Sequence, residues 1–359
     1  MNDHPLLARR RLLALGAALP GAGLLGAGAR ALGGLAAPGA ATTVAGTGLA
    51  ALAPDAHAAG IDLSKQRIRI GTYKGGDRLA LRAAGQDDFP YTVDFAEFSG
   101  GNLIVEALNA GSLDLGSGSE IPPIFAAQSN TRINLRVVAV LKDDVNSQVV
   151  LVPKDSTAKT IADLRGKRVG YVRATTTHYY LLRMLEDAGL GFADIDPVNL
   201  SPADGFAAFR SGKLDAWAIY GYNVPLAKTQ AGARVLRNAG GYLSGNYLYY
   251  AHPDAIADAG RRAAVADYLQ RLARAAKWFE ANADAYARLY AKEIRVSEDA
   301  ILELYRNRSQ PRRLVAPADA EIRSQQLVAD TFAKARVLDA KVDVAPLWDR
   351  AFAGALGAV

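Results

Sequence analysis

The 359-residue chain contains no cysteine. That excludes disulfides, thiolate metal sites, a cysteine nucleophile and lipid attachment through an N-terminal cysteine. Histidine is scarce: there are four, and two of them, His4 and His57, lie in the first sixty residues. No H-x-x-x-H spacing suggests a metal site, and no G-x-S-x-G elbow marks a serine hydrolase. Beyond the first sixty residues no basic run exceeds a pair such as Arg261-Arg262 or Arg312-Arg313. The formal charge of +6 is therefore scattered. It does not form the stripe a nucleic-acid partner needs, and it permits a small anionic ligand. No cofactor and no metal are expected.

The N-terminal sixty residues are almost without acidic groups. Arg9-Arg10-Arg11 precedes the apolar run Leu12–Leu19, the charged-then-apolar order of an export signal. The arginine pair resembles the twin-arginine motif, with Ala8 where serine or threonine is usual. Gly21 to Ala53 is Ala/Gly/Leu-rich and interrupted by Pro38, and Ala56-His57-Ala58 is a candidate cleavage site. Residues 1–59 thus read as an export leader. A retained anchor is the alternative.

The mature part says one thing twice. Glu106–Leu115, ending Gly111-Ser112-Leu113-Asp114-Leu115, recurs in outline as Ala207–Ala216, ending Gly212-Lys213-Leu214-Asp215-Ala216. Each copy reads as a helix end, a left-handed glycine cap and a short buried strand. Alternating strand and helix patterns surround both, which predicts two similar α/β lobes with a cleft between them. Strands are expected at Arg67–Tyr73, Tyr91–Phe98, Leu135–Leu141, Gln148–Val152, Val198–Leu200, Leu214–Tyr220 and Tyr247–Ala251. From Pro253 the pattern is helical, with Val265, Leu269, Leu272, Ala276 and Phe279 on one buried face. The expected division is residues 66–148 plus 252–359 as lobe 1 and 149–251 as lobe 2, with the helical tail packed on lobe 1.

Two polar segments suit an oxyanion. Ser117-Gly118-Ser119 reads as a loop leading into Glu120 and a helix begun by Pro122-Pro123. Thr175-Thr176-Thr177-His178 opens a helix of the second lobe. Backbone N–H groups, hydroxyls and the positive end of a helix dipole are how such an anion is held. Plain helix capping is the simpler alternative for each. His178, at a helix start, is expected to be neutral. Lys74 and Arg173 follow strands at the cleft-facing end. Tyr220 and Tyr222 belong to a tyrosine-rich stretch that could hold an organic tail beside an anionic head. Trp217 is a candidate contact that reads more simply as strand core.

In order along the chain, Gly71–Lys74, Glu106–Gly116, Glu120–Ile124, Leu151–Ser156, Asp163–Val169, Thr177–Leu182 and Gly212–Trp217 resemble the periplasmic substrate-binding proteins of ABC importers for sulfonates, taurine and nitrate. The resemblance implies the two-lobe type II periplasmic-binding-protein fold, a small organic anion in the cleft, and permease and ATPase subunits as partners. It also implies Tyr73, Lys74, Glu120 and the segments above as ligand contacts. Two departures bear on the ligand. Tyr73 stands where the family has an amide, and Tyr220-Gly221-Tyr222 stands where it has Trp-Asp-Pro. A desulfinase-like or hydrolytic enzyme on the same fold and a periplasmic ligand sensor are the alternatives, the former opposed by the missing cysteine.

Overall fold

The computed structural model describes residues 60–128 and 133–359. The expected export leader, residues 1–59, and its candidate cleavage site lie outside the described residues. Among the described residues no helix is long and apolar enough to cross a membrane.

Two sheets form the frame. The first half builds β1 (Arg67–Thr72), α1 (Asp77–Ala83), β2 (Thr92–Glu97), α2 (Gly101–Asn109), β3 (Leu115–Ser119), α3 (Pro122–Gln128) and β4 (Arg136–Lys142). The chain then crosses and builds β5 (Gln148–Pro153), β6 (Arg168–Tyr171), α4 (Thr176–Asp187), β7 (Asp196–Asn199), α5 (Pro202–Arg210), β8 (Ala216–Tyr220), α6 (Asn223–Gln230) and β9 (Ala233–Asn238). It returns as β10 (Asn246–Ala251). The tail adds α7 (Pro253–Ala257), α8 (Ala259–Ala281), α9 (Ala283–Ile294), α10 (Glu298–Arg306), β11 (Arg313–Val315), α11 (Asp319–Lys334) and α12 (Ala353–Gly357). The sheet orders are β11-β4-β10-β3-β1-β2 in lobe 1 and β7-β6-β8-β5-β9 in lobe 2.

The sequence repeat has a physical cause. In lobe 1 Asp114 accepts hydrogen bonds from Arg69 N (2.8 Å), Nε (3.0 Å) and Nη2 (2.9 Å). In lobe 2 Asp215 accepts the same three from Arg168, at 2.9, 3.1 and 3.0 Å. Each aspartate thus locks the start of one strand to the middle strand of its parallel trio. Gly111 and Gly212 have φ of +74° and +71°, the left-handed turn that L side chains rarely adopt. The leucine of each Gly-x-Leu-Asp packs on a strand glycine. A Cβ on Gly71 would sit 2.6 Å from Leu113 Cδ1, and one on Gly170 would sit 2.6 Å from Leu214 Cδ1. In each sheet an antiparallel strand joins this trio beside the Leu-Asp strand: β10 pairs with β3, and β5 pairs with β8.

The return to lobe 1 precedes its expected place. Tyr247–Ala251, read as the end of lobe 2, pairs with β3 and β4 in the lobe 1 sheet. Alternation of apolar residues is the same in either sheet, so only the pairing decides. The crossings are the short segments 143–147 and 239–245. Asp143 N donates to Gly245 O (3.0 Å) between them.

The tail packs on lobe 1 through α8. Val265, Tyr268, Leu269 and Leu272 are buried in one cluster with Ile68, Ile70, Val138 and Ala139. Helix α11 reaches further. Val328 and Phe332 share a cluster with Ile121 and Ile124 of lobe 1 and with Tyr179 and Leu182 of α4 in lobe 2.

Candidate functional site

A cavity of about 300 Å³ lies between the carboxyl ends of the two sets of parallel strands. That is where open α/β sheets bind ligands. It is bounded by lobe 1, by lobe 2 and by the helical tail. Three helices start at its wall. Ser99 and Gly101 bring the start of α2, Thr175 and Thr176 that of α4, and Tyr222 and Asn223 that of α6. Each helix start offers backbone N–H groups that the helix itself does not use, at the positive end of its dipole. One comes from lobe 1 and two from lobe 2.

Of the residues singled out from sequence, Tyr73, Lys74, Ser117, Gly118, Ser119, Thr175, Thr176, Tyr220 and Tyr222 line this cavity. Their detailed chemistry differs from expectation. Ser117–Ser119 is not a loop. It is the end of β3, with Ser119, Gly118 and Ser117 in register with Tyr247, Leu248 and Tyr249. The β10 ladder takes up one edge of this backbone. The small residues serve close packing. Tyr73 OH donates to Ser117 O (2.9 Å), and Tyr250 OH donates to Ser119 O. The Cα of Gly118 lies 3.3 Å from where a Cβ on Gly101 would be, so the start of α2 rests on bare β3 backbone. Sequence reading missed Gly100-Gly101 as the turn that brings the start of α2 to the cavity wall. Its signal was a glycine pair directly ahead of the helix.

The threonines are also largely committed. Thr175 Oγ1 donates to Val172 O (2.8 Å), and Thr177 Oγ1 donates to the same oxygen (3.0 Å) while accepting from Val172 N (2.9 Å). Thr176 Oγ1 donates to Gln148 Oε1. These bonds fix the loop around Ala174, whose φ is +58°. The backbone of the α4 start faces the cavity; the hydroxyls build the turn behind it.

Five expected contacts lie elsewhere. Thr177 is fully buried in the turn just described. His178 packs in an aromatic box, its ring 5.2 Å from those of Tyr171 and Phe332 and 5.4 Å from that of Phe192. Burial, with a smaller push from Arg173, lowers its pKa to about 4, so it is neutral for a reason other than ligand contact. Trp217 is 0 % exposed, between Phe206 and Phe209, in the core of lobe 2. Arg173 is exposed, its backbone N bonded to Asn199 Oδ1 at 2.9 Å. Glu120 turns into a polar cluster at the return crossing, accepting from Ser244 Oγ (2.7 Å) and Ser324 Oγ (3.1 Å). Burial raises its pKa against the pull of those serines. Position alone put Arg173, Glu120, Thr177 and His178 near the cleft, and the direction of their side chains was not legible; Trp217 takes the strand-core place that was its simpler reading.

The tail supplies the wall that sequence reading missed. Tyr286, Tyr290, Tyr305, Arg308 and Arg312 all line the cavity. Arg312 donates from Nε to Asp143 Oδ2 (2.8 Å) at the first crossing. Burial acts to lower its pKa, but Asp143 and the neighbouring tyrosines overcome this and hold it above the ordinary value. Asp77, in the first turn of α1, accepts from Tyr249 OH (2.8 Å) and Tyr268 OH (3.3 Å). Burial pushes it up to about 6, opposed by those hydroxyls and by Arg312. Its folded pKa is raised, so the folded state binds more protons than the unfolded chain from about pH 4 to about pH 6, and stability falls as pH rises through that window. The variant Asp77→Asn should flatten this part of a Tm–pH profile, changing the stability difference from wild type by about 2–3 kcal/mol between its ends. A difference constant with pH would mean that Asp77 titrates normally.

Tyr220 stands apart. Among the described residues it alone combines a place in the cavity wall with a buried side-chain oxygen lacking a hydrogen-bond partner. Its hydroxyl crosses from lobe 2 to within 3.4 Å of where a Cβ on Gly100 would lie, beside the start of α2. The nearby Thr175 hydroxyl is already bonded to Val172 and lies 3.1 Å from Thr177 Oγ1. Burial raises the Tyr220 pKa, so the phenol is protonated; the Thr175 hydroxyl lies close enough to offset part of this effect but not in hydrogen-bond geometry with it.

Comparison with known proteins agrees with this architecture. The family model described as NMT1/THI5 like matches residues 92–282. An aliphatic sulfonates-binding protein of Escherichia coli (strain K12) is 34% identical over 303 residues, covering 83% of this chain and 92% of that protein. The alkanesulfonate-binding protein SsuA of Xanthomonas axonopodis pv. citri, solved bound to MOPS, superposes with a TM-score of 0.72 at 31% identity, covering 79% of this chain and 98% of the other. The periplasmic aliphatic sulphonate binding protein SsuA of Escherichia coli superposes with a TM-score of 0.64 at 32% identity, covering 77% and 90%. With the repeated lobes, the cavity between them and this likeness along most of its length, the chain belongs to the NMT1/THI5-like family, and its relatives there include the aliphatic sulfonate-binding proteins.

Proposed function

We propose that this protein is the periplasmic solute-binding component of an ABC importer, and that it holds an organic sulfonate between its lobes for delivery to a membrane permease driven by an ATPase. The observation that carries the reading is the Tyr220 hydroxyl, buried and unpartnered between the lobes beside the start of α2. A buried donor without a partner costs about 1–3 kcal/mol, so such groups ask for an explanation. An anion at the helix starts provides one. A sulfonate has three oxygens and carries its charge at any ordinary pH. Helix α2 from one lobe, α4 and α6 from the other, and Tyr220 between them can each reach one side of it. The relatives named for sulfonates support the choice of anion, and the leader's Arg9-Arg10 and apolar run support export to the periplasm.

Binding rather than catalysis follows from the same chemistry. The donors are neutral, His178 is sequestered in its aromatic box, and a desulfinase-like reaction would need the cysteine that the chain lacks. The test is Tyr220→Phe in titration calorimetry with an alkanesulfonate. A hydrogen bond to a charged group contributes about 1.5–3 kcal/mol, so affinity should fall roughly ten- to a hundredfold. Thermal stability without ligand should be unchanged or slightly higher, since no internal bond is lost. Unchanged affinity would place the anion elsewhere.

A further inference from the structure

The tail builds one side of the cavity, where Tyr222 at the start of α6 packs in one cluster with Tyr290 and Tyr305. Tyr286 and Tyr290 stand one helical turn apart on α9, and Tyr305 on α10 joins them. All three line the cavity. Their ring centroids lie 6.1 Å (Tyr286–Tyr290), 5.9 Å (Tyr286–Tyr305) and 6.0 Å (Tyr290–Tyr305) apart, with interplanar angles of 14°, 26° and 31°.

The charges on this side are closed among protein groups. Arg312 is bonded to Asp143 and lies 4.2 Å over the Phe279 ring. Arg308 donates to both oxygens of Glu280 (2.5 and 3.3 Å) and lies 4.7 Å over the same ring. Each guanidinium is already balanced by a carboxylate, and both positive charges oppose an ammonium. Among the tail's own side chains in this wall, the three tyrosines remain to recognise a ligand, and they are aromatic and uncharged. An alkyl chain there gains only by burial. A flat ring gains, in addition, the offset or edge-to-face contacts that aromatic pairs prefer.

We infer that the organic part of the ligand is an aromatic ring, so that the protein selects arylsulfonates over alkanesulfonates of equal carbon number. The inference rests on the sulfonate reading of the helix starts. A cavity of about 300 Å³ is at the lower limit of sites for drug-sized ligands, large enough for a substituted benzene ring and more than a two-carbon sulfonate requires.

The experiment is titration calorimetry of the wild-type protein, Tyr290→Leu and Tyr290→Phe with benzenesulfonate, hexanesulfonate and methanesulfonate. Wild type should bind benzenesulfonate about five- to tenfold more tightly than hexanesulfonate. Tyr290→Phe keeps the ring and should keep that ratio. Tyr290→Leu should bring it close to one, while methanesulfonate, which has no tail to reach α9, binds all three proteins alike. A wild-type ratio of one or below overturns the aromatic selection and leaves the sulfonate reading standing, and that ratio decides even where a variant does not fold. Absence of binding by all three sulfonates overturns both.

Discussion

Replacing Gly118 by valine should lower ligand affinity by more than about a hundredfold, the largest loss expected from any single substitution in the cavity wall. The reason is mechanical. A Cβ at this position would sit 3.0 Å from Tyr250 OH, 3.3 Å from Gly101 Cα and 3.3 Å from Tyr73 OH. Two of these can yield only at a cost. Tyr250 OH is bonded to Ser119 O, and Gly101 is the backbone on which α2 begins. Valine adds two methyl groups beyond that Cβ, so the start of α2 must move away from β3. With it move the amides proposed to bind the anion, and more than one charged hydrogen bond is lost together. Gly118→Ala should show the same direction with a smaller effect, since distances of 3.0–3.3 Å ask the neighbours to give by only a few tenths of an ångström. Calorimetric titration on both variants, with circular dichroism to verify the fold, measures this. Wild-type affinity in a folded Gly118→Val protein would show that the start of α2 takes no part in binding.

The largest effect on stability is expected at Arg312. It ties the tail to the first crossing through Asp143, receives the ring of Phe279 and forms part of the cavity wall. Its side chain is 21% exposed and that of Asp143 is 13% exposed, so both charges are mostly withdrawn from water. Removing one partner of such a pair leaves the other uncompensated, at a cost of about 3–5 kcal/mol, with the lower end expected here because some solvent reaches the pair. Arg312→Met keeps much of the volume and should still lower the midpoint of denaturant unfolding by that amount. The double variant Arg312→Met/Asp143→Asn should recover part of the loss, because no lone charge remains. A single-variant loss below about 1 kcal/mol would mean that the pair is as weak as an exposed surface ion pair.

What the sequence revealed and what it hid divide along a physical line. The two lobes were legible because the Gly-x-Leu-Asp device does the same local work twice. Asp114 with Arg69 and Asp215 with Arg168 are short-range locks whose residues recur with their spacing. The helix start at Thr175 was legible for a similar reason: turn chemistry is written in a few consecutive residues, whereas the start of α6 after Tyr222 was not read. Side-chain direction was not legible. Trp217 and Tyr220 lie three apart on one strand, so alternation sends them to opposite faces, but the strand's own sequence does not say which face looks into the cleft. The return to lobe 1 was expected within Tyr247–Ala251 and the boundary drawn after it, one strand late, because the alternation of that strand suits either sheet. Tyr286, Tyr290 and Tyr305 reach the cavity through the path of the tail, well after the last strand of lobe 2 ends at Asn238, and no local pattern distinguishes them from helix core.

The most direct test of the account is a crystal structure of the protein with ethanesulfonate, a ligand that makes no use of the tail's tyrosines. The account predicts a sulfonate between the lobes, its oxygens within hydrogen-bond distance of Tyr220 OH and of backbone amides at the starts of α2 and α4, with Trp217 and His178 out of contact. A sulfonate bound outside this cavity, or one inside it that leaves Tyr220 OH unpartnered, would contradict the central claim.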